Sequence, residues 1–369
     1  MPDLFIGLMS GTSLDGVDGV LVDFSPDAPL VIEHASAPFP PDLRAELLAL
    51  NTPGENELHR AALAGNGLMR VYADVVATLL RSARVAPGTV TAIGAHGQTV
   101  RHRPQEFDGT GYTLQLCQPA LLAELSGIDV VADFRSRDVA AGGQGAPLAP
   151  FFHQGRFGRR GETVGVLNIG GISNLTLLRA DGSMLGFDCG PGNSLMDAWC
   201  SLHTGQPYDD QGAWAASGRP VPALLEALRA EPYFAKAPPK STGRDLFNKE
   251  WLRYKLLPFG SLAPEDVQAT LAELTAAACA ADVLRLQPGL RRLIVCGGGA
   301  LNTHLMRRLR ALLPDTGVNS SADDGLPPLQ VEATAFAWLA RRTVRREKLE
   351  LESTTGARGA RVLGCIYPA

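Results

Sequence analysis

The 369-residue chain has room for two domains with separate cores, and its 45% hydrophobic content, with 40 glycines and 26 prolines punctuating apolar stretches, excludes a disordered or fibrous protein. A formal net charge of -4 without a long run of either sign offers no grip for nucleic acid or a membrane surface. Six cysteines form no C-x-x-C pair and seven histidines no H-E-x-x-H, so structural zinc is not expected; no basic residue precedes the short apolar run 4–9, which predicts neither a signal nor a span, and hence reduced, cytoplasmic thiols.

Residues 4–9 and 17–24 read as strands joined by a polar turn. Helical spacing follows over 41–50 and 57–84, carried in the second by Leu63, Leu68, Val71, Val75, Val76 and Leu79. A buried strand at 89–95 runs into His96-Gly97-Gln98-Thr99. After a hairpin and a helix around 120–126, a strand at 129–132 ends in Asp133-Phe134-Arg135. The glycine-dense segment 142–147 marks the passage between two lobes. Beyond it, strands at 164–167 and 175–178 flank Asn168-Ile169-Gly170-Gly171-Ile172-Ser173-Asn174, and a third strand, 184–187, delivers Asp188 to its end. Helices are expected at 221–229 and 264–286. A strand at 293–295 meets Gly297-Gly298-Gly299 and a helix from about Leu301, and 335–346 is the last long helix.

Four of these punctuation points carry chemistry. The turn Ser10-Gly11-Thr12-Ser13-Leu14-Asp15-Gly16-Val17-Asp18 has little bulk, free backbone N–H groups and three hydroxyls, which suits phosphate oxygens. Its two aspartates would repel phosphate unless a Mg²⁺ held through water lay between them; a tight hairpin built on small polar residues explains the same letters. Asn168 to Asn174 repeats that design, and Gly297-Gly298-Gly299 follows a strand and opens a helix, where N–H groups favour nucleotide contact. No G-x-x-x-x-G-K-[ST] occurs and no strand-linked G-x-G-x-x-G, so the glycine turns point to one nucleotide clamped from two lobes rather than to a P-loop or dinucleotide fold. In Asp188-Cys189-Gly190-Pro191-Gly192-Asn193-Ser194 a carboxylate faces open space, placed to take a proton from an attacking hydroxyl or water. The competing role for Asp188 is as a turn cap.

Taken in order, residues 7–18, Ala95-His96-Gly97-Gln98-Thr99, Ala132-Asp133-Phe134-Arg135, 142–147, 168–174, 186–193, Pro239-Lys240-Ser241-Thr242-Gly243-Arg244-Asp245 and Glu332-Ala333-Thr334-Ala335-Phe336-Ala337-Trp338 resemble the segments of the anhydro-N-acetylmuramic acid kinase family, within the actin, hexokinase and heat-shock ATPase superfamily. The resemblance runs nearly end to end. It implies a two-lobed, duplicated α/β (ribonuclease H-like) ATPase fold with a central cleft, residues 1–130 plus about 341–369 forming one lobe and 131–340 the other. It also implies ATP and Mg²⁺ as cofactors, and an activity in which 1,6-anhydro-N-acetylmuramic acid is opened by water and phosphorylated on O6 during murein recycling.

On that mapping Asp188 is the general base. Ser10, Gly11, Thr12 and Ser13 serve the phosphates, with Asp15 and Asp18 on the metal, Asn168, Gly170 and Gly171 form the second phosphate loop, and Gly297, Gly298 and Gly299 meet the adenosine. Arg135 fits the lactyl carboxylate, because a guanidinium fork matches two carboxylate oxygens. Gln98, His96 and Glu332 are further sugar candidates, although His96 serves equally as a strand-end histidine and Glu332 as an acid at a helix N-terminus. Phe336 and Trp338 fit a helix core face better than a sugar platform. Small molecules are the expected partners, with neither nucleic acid nor membrane, and the family suggests a homodimer. Two other functions use the same letters: an ordinary hexose or hexosamine kinase, and a nucleotide-driven binding ATPase, which the short stretch after the last helix disfavours.

Overall fold

The structure, a computed structural model, describes every residue except Met1, Thr12, Ser13, Asp27, Pro239, Arg244 and Asp245. The chain divides into two compact units, residues 1–156 with 330–369, and residues 157–329.

In the first unit β1 (Leu4–Met9), β2 (Gly16–Asp23) and β3 (Leu30–Pro38) form an antiparallel meander. β4 (Ala92–Ala95) lies parallel to β1 on its other side. A separate hairpin, β5 (Gln98–Pro104) with β6 (Gly111–Leu116), precedes β7 (Val130–Ala132), which pairs parallel to β4. The helix Glu57–Ala83 buries Leu68, Val75 and Leu79 on one stripe, the 3.6-residue spacing visible in the sequence. Each such side chain contributes roughly 1.5–3 kcal/mol on leaving water.

The second unit repeats the plan. β8 (Val164–Ile169), β9 (Ile172–Leu178) and β10 (Met184–Pro191) make the meander, and β11 (Arg292–Cys296) and β12 (Gly317–Ser320) extend it in parallel, in the order β10-β9-β8-β11-β12. All six residues of β8 are buried, as a strand covered on both faces requires. The helix Pro264–Leu286 is long and apolar enough to cross a membrane, but 89% of its apolar window is buried inside the protein, which marks it as a core helix. The chain then returns to the first sheet, where β13 (Cys365–Tyr367) pairs antiparallel with β7. With strands numbered within each sheet, both have the order 3-2-1-4-5, the first with one strand added. The expected duplicated α/β fold is therefore the observed one.

Several expectations need correction. The unit boundaries differ from those read at 130/131 and about 340/341: β7 is hydrogen-bonded into the first sheet, and the helix Val331–Val344 packs on β1 and β4. The glycine-dense segment 142–147 belongs to the first unit rather than to the passage out of it, and Gly143 N–H and Gly145 N–H are held by Asp138. β8 and β9 run further than expected and leave only Gly170 and Gly171 between them. β10 likewise continues to Pro191, so Asp188 lies inside the strand at a β-bulge, not at its end. Glu332 sits in the first turn of its helix, which starts four residues earlier than expected.

Candidate active site

Asp188 is fixed from three sides. Its backbone N–H donates to the Lys240 carbonyl at 3.1 Å, and its own carbonyl accepts the Tyr233 hydroxyl at 2.8 Å. Its Oδ2 accepts the Thr242 N–H at 3.0 Å. β10 is an edge strand, so the segment 240–242 covers an edge that would otherwise carry unpaired groups. At the bulge between Asp188 and Gly190 the chain bends, re-aiming side chains in the way such bulges do beside active sites. Desolvation pushes the Asp188 carboxyl up to about 6, against the opposing pull of the Thr242 N–H, the Ser241 hydroxyl and the Lys240 charge. It is a carboxylate at neutral pH, yet basic enough to take a proton.

The two glycine turns of the second unit meet around the continuation of β10. Gly192 and Ser194 donate N–H to the Gly171 carbonyl at 2.9 and 3.3 Å, and Asn193 N–H donates to the Gly170 carbonyl at 2.8 Å. Thr275, on the buried helix, donates its hydroxyl to the Pro191 and Gly192 carbonyls. The Asn193 amide reaches the Ile169 carbonyl at 3.2 Å. Gly192 has no room for a side chain: a Cβ there would collide with the Gly170 carbonyl oxygen. Gly297 is excluded from bearing one twice over, by a φ of +76° and by the Asn168 side chain beside it. Gly170 and Gly171 differ, because a Cβ on either would meet protein atoms only at 3.8 Å and neither has a left-handed φ. Their lack of bulk answers no demand of the described protein, which is what a loop approached by phosphate oxygens would show.

Buried oxygens with no partner gather at this turn: Asn168 Oδ1, Ser173 Oγ and Ser194 Oγ. Ser194 begins the helix Ser194–Thr204, whose N-terminus favours an anion. Gly298 and Gly299 form a short 3₁₀ turn, and Asn302 caps the helix Thr303–Leu312 through the Leu305 N–H, so that helix starts two residues after the expected Leu301.

In the first unit Arg135, His96 and Glu332 come together. Arg135 Nε and one terminal nitrogen reach His96 Nε2 at 3.3 and 3.0 Å, and the other terminal nitrogen donates to the Gly145 carbonyl at 2.9 Å. Burial pulls Arg135 down to about 10, countered by Glu332 and Asp138. Burial and the Arg135 charge hold His96 down to about 3, so the imidazole is neutral and its Nε2 is the acceptor that orients the guanidinium. Phe336 packs at a tilt against both His96 and Phe134 and is buried, and Trp338, half-buried, packs edge-on against Phe152.

Gln98 does not join that group. It is buried, and its amide donates to the Gly11 carbonyl at 3.1 Å, bracing the β1–β2 turn, while Ser10 Oγ donates to the Gly97 carbonyl and meets Tyr72 OH, each at 3.0 Å. Asp15 faces Arg44 at 3.6 Å and Asp18 faces His34 at 3.6 Å, so the two carboxylates address different partners. No cluster of three or more His, Cys, Asp or Glu occurs among the described residues. Thr12 and Ser13, and the Pro239, Arg244 and Asp245 positions of the 239–245 motif, lie outside the described residues.

Residues 3–369 match the family model described as anhydro-N-acetylmuramic acid kinase. A relative from Variovorax paradoxus (strain S110) bearing that name is 67% identical, covering 100% of this chain and 99% of the relative. One from Cupriavidus metallidurans is 60% identical over 99% of this chain and 98% of its own. The chain belongs to the anhydro-N-acetylmuramic acid kinase family. Among solved structures, the activator of 2-hydroxyisocaproyl-CoA dehydratase from Clostridium difficile, with bound ADPNP, matches at a TM-score of 0.50 and 12% identity, covering 93% of this chain and 96% of that one. That likeness shows the shared fold alone.

Within this family member, sequence reasoning passed over Tyr233, Lys240, Thr242 and Asp282. Lys240 and Thr242 stood inside a quoted motif without a role. Asp282 carried a signal of its own, an acid directly after the small apolar run 276–281 of a long helix, where a buried charge requires a partner.

Proposed function

We infer that the chain is an ATP-dependent kinase that opens 1,6-anhydro-N-acetylmuramic acid with water and phosphorylates its O6, giving N-acetylmuramic acid 6-phosphate and ADP in cytoplasmic murein recycling. The observation that carries the mechanism is Asp188, a carboxylate clamped through its backbone and one oxygen, and raised by burial to about 6. With that value about nine-tenths of it is ionised at pH 7, close to the optimum for a general base. Asp188 takes a proton from water as the water oxygen bonds to the anomeric carbon. The C1–O6 bond breaks, O6 bonds to the γ-phosphorus, ADP departs, and the proton passes from Asp188 to solvent.

In this reading the Gly170-Gly171 turn receives phosphate oxygens, with Asn168 beside it, and Gly297, Gly298 and Gly299 pass close to the nucleoside. Ser10, Gly11, Thr12 and Ser13 serve the phosphates from the first turn. Arg135, oriented by His96, takes the lactyl carboxylate, and Glu332 fixes the charge balance around that guanidinium.

Magnesium is commonly held by one or two carboxylates plus phosphates and needs no all-protein cage, so separate, partly exposed carboxylates such as those of the first turn suffice for it. Asp18, with Asp15, would hold it through water, and when bound it neutralises charge on the transferring phosphoryl group.

The test is ATP consumption with 1,6-anhydro-N-acetylmuramic acid in ¹⁸O-labelled water, with the product weighed by mass spectrometry. One labelled oxygen in the phosphosugar is expected; turnover only on an ordinary hexosamine would replace this reading with a plain sugar kinase. Asp188→Asn should lower turnover at least ~100-fold while ATP binding survives. Substantial activity in that variant removes the base assignment.

A further inference from the structure

The segment that covers Asp188 is itself anchored by a buried charge. Lys240 Nζ lies 2.9 Å from Asp282 Oδ2, with side-chain exposures of 2% and 6%. The ammonium also stands 5.1 Å from the centre of the Tyr233 ring and 5.6 Å from that of Phe187, the residue preceding Asp188. Asp282 is held in turn by Arg285 at 2.6 Å. A buried ion pair is a poor device for stability alone, since an apolar pair of equal volume does as well or better. Its position next to the edge of β10 calls for another reason.

We propose that Lys240 is a positioning residue for the base: locked by Asp282, it holds residues 240–242 along β10 and sets a buried positive charge whose field reaches the Asp188 carboxylate. The inference rests on Asp188 serving as the general base.

Two independent features support it. The same three residues that carry the ammonium also supply the Lys240 carbonyl and the Thr242 N–H that fix the Asp188 backbone and Oδ2. Displacing the lysine therefore loosens both clamps at once. Among the described residues, the other titratable groups around the carboxylate bring no positive charge. Tyr233, from the helix Pro232–Ala235, is pushed well up by burial and stays a neutral phenol. Cys189 on β10 is pushed up by its hydrogen bond to Cys279 and by burial, and stays a thiol. From the helix Pro264–Leu286 come Asp282, already paired, and Arg285, which is partly exposed and turned to Asp282 and the Lys236 carbonyl. Among the described residues Lys240 is the cation whose charge favours ionised Asp188.

The experiment is the pH profile of kcat/KM for Lys240→Met, Lys240→Arg and the double variant Lys240→Met/Asp282→Leu, each checked for folding by circular dichroism. It is joined by ¹³C NMR titration of the Asp188 carboxyl, assigned by its absence in Asp188→Asn. The acid limb and the NMR titration, both near 6 in the parent, should rise together by about one pH unit in Lys240→Met, and by less in the double variant, which also removes the Asp282 charge. They should return toward the parent value in Lys240→Arg. A purely structural role would lower kcat at every pH and leave the limb in place, and that result overturns the proposal. Since Lys240→Met leaves buried Asp282 with only the partly exposed Arg285 as its partner among the described residues, it is the variant at risk of misfolding; the double variant removes both charges, and if it too is unfolded the pair belongs to folding and the proposal falls. Activity in Asp188→Asn sinks the base assignment itself. A dead Asp188→Asn with an unmoved limb in Lys240→Met sinks only the positioning role.

Discussion

The first turn of each sheet occupies the same place in the same strand order, yet the two are held by opposite means. Between β8 and β9 only Gly170 and Gly171 intervene, and their carbonyls accept N–H groups from Gly192, Asn193 and Ser194. Backbone is bolted to backbone, and the bolt runs straight along the strand that carries Asp188. Between β1 and β2 the connection is longer, and side chains brace it: Gln98 on the Gly11 carbonyl and Ser10 on the Gly97 carbonyl. The second turn is thus specified by residues that lack side chains and the first by side chains, Gln98 reaching in from β5 and Ser10 reaching out to the Gly97 carbonyl. The two should respond differently to substitution.

The largest effect is expected where backbone meets backbone. In Gly192→Ala the new methyl collides with the Gly170 carbonyl oxygen, an atom with no freedom to swing aside, and approaches Ser173 Oγ at 3.0 Å. The strand end and the turn must separate. Overpacking of this kind costs about 1–3 kcal/mol or more, and because the shift reaches the bulge at Asp188, kcat should fall at least ~100-fold in the protein that remains folded. Chemical denaturation and steady-state kinetics read the two effects separately. Near-parent values for both would show that the bolt is not rigid.

That asymmetry also explains what the sequence revealed. Glycine-rich turns are legible because the absence of side chains is written in the letters, and both phosphate-loop candidates, the 297–299 turn and the Asp188 strand were found that way. β3 was passed over because Leu30–Pro38 is a largely exposed edge strand carrying Glu33, His34 and Ser36, with no alternation of apolar residues to announce it. β12 and β13 are only four and three residues long, too short for a pattern. The Lys240–Asp282 pair joins residues 42 apart, and the Gln98 brace joins residues 87 apart. Such partnerships exist only after folding, and so does the burial that raises Asp188.

A second, intermediate effect concerns Asp188 and pH. Its folded value of about 6 lies above the ordinary 3.8, so the folded state binds the proton more tightly than the unfolded chain does. The resulting stability is complete below about 3.8 and is lost as pH rises through about 6. At neutral pH the parent therefore carries a cost that Asp188→Asn does not, at most about 3 kcal/mol at 1.36 kcal/mol per pH unit. The stability of Asp188→Asn relative to the parent should grow by roughly 1–3 kcal/mol between pH 4.5 and 7.5 in urea unfolding, while its catalysis is lost. A constant difference across that range would mean that the carboxylate is better solvated than its surroundings indicate.

The smallest effect is expected at the first turn. Gln98→Met keeps the volume, removes the 3.1 Å bond to the Gly11 carbonyl, and also removes Oε1, a buried acceptor without a partner. A lost hydrogen bond costs ~1 kcal/mol and a relieved unsatisfied acceptor returns a similar amount, so stability should stay within about 1 kcal/mol of the parent. The turn nevertheless loses its brace, since among the described residues the other bond to the Gly11 carbonyl, from the Leu14 N–H at 3.3 Å, comes from within the turn itself. The KM for ATP should rise several-fold with kcat little changed, and amide exchange around Gly11 should quicken. If exchange quickens while KM holds, the first turn tolerates motion that the second does not, because phosphate contact there is made by whatever conformer the nucleotide selects. If neither changes, Ser10 and its bond to Gly97 carry the turn alone, and the contrast between the two sheets narrows to the length of their loops.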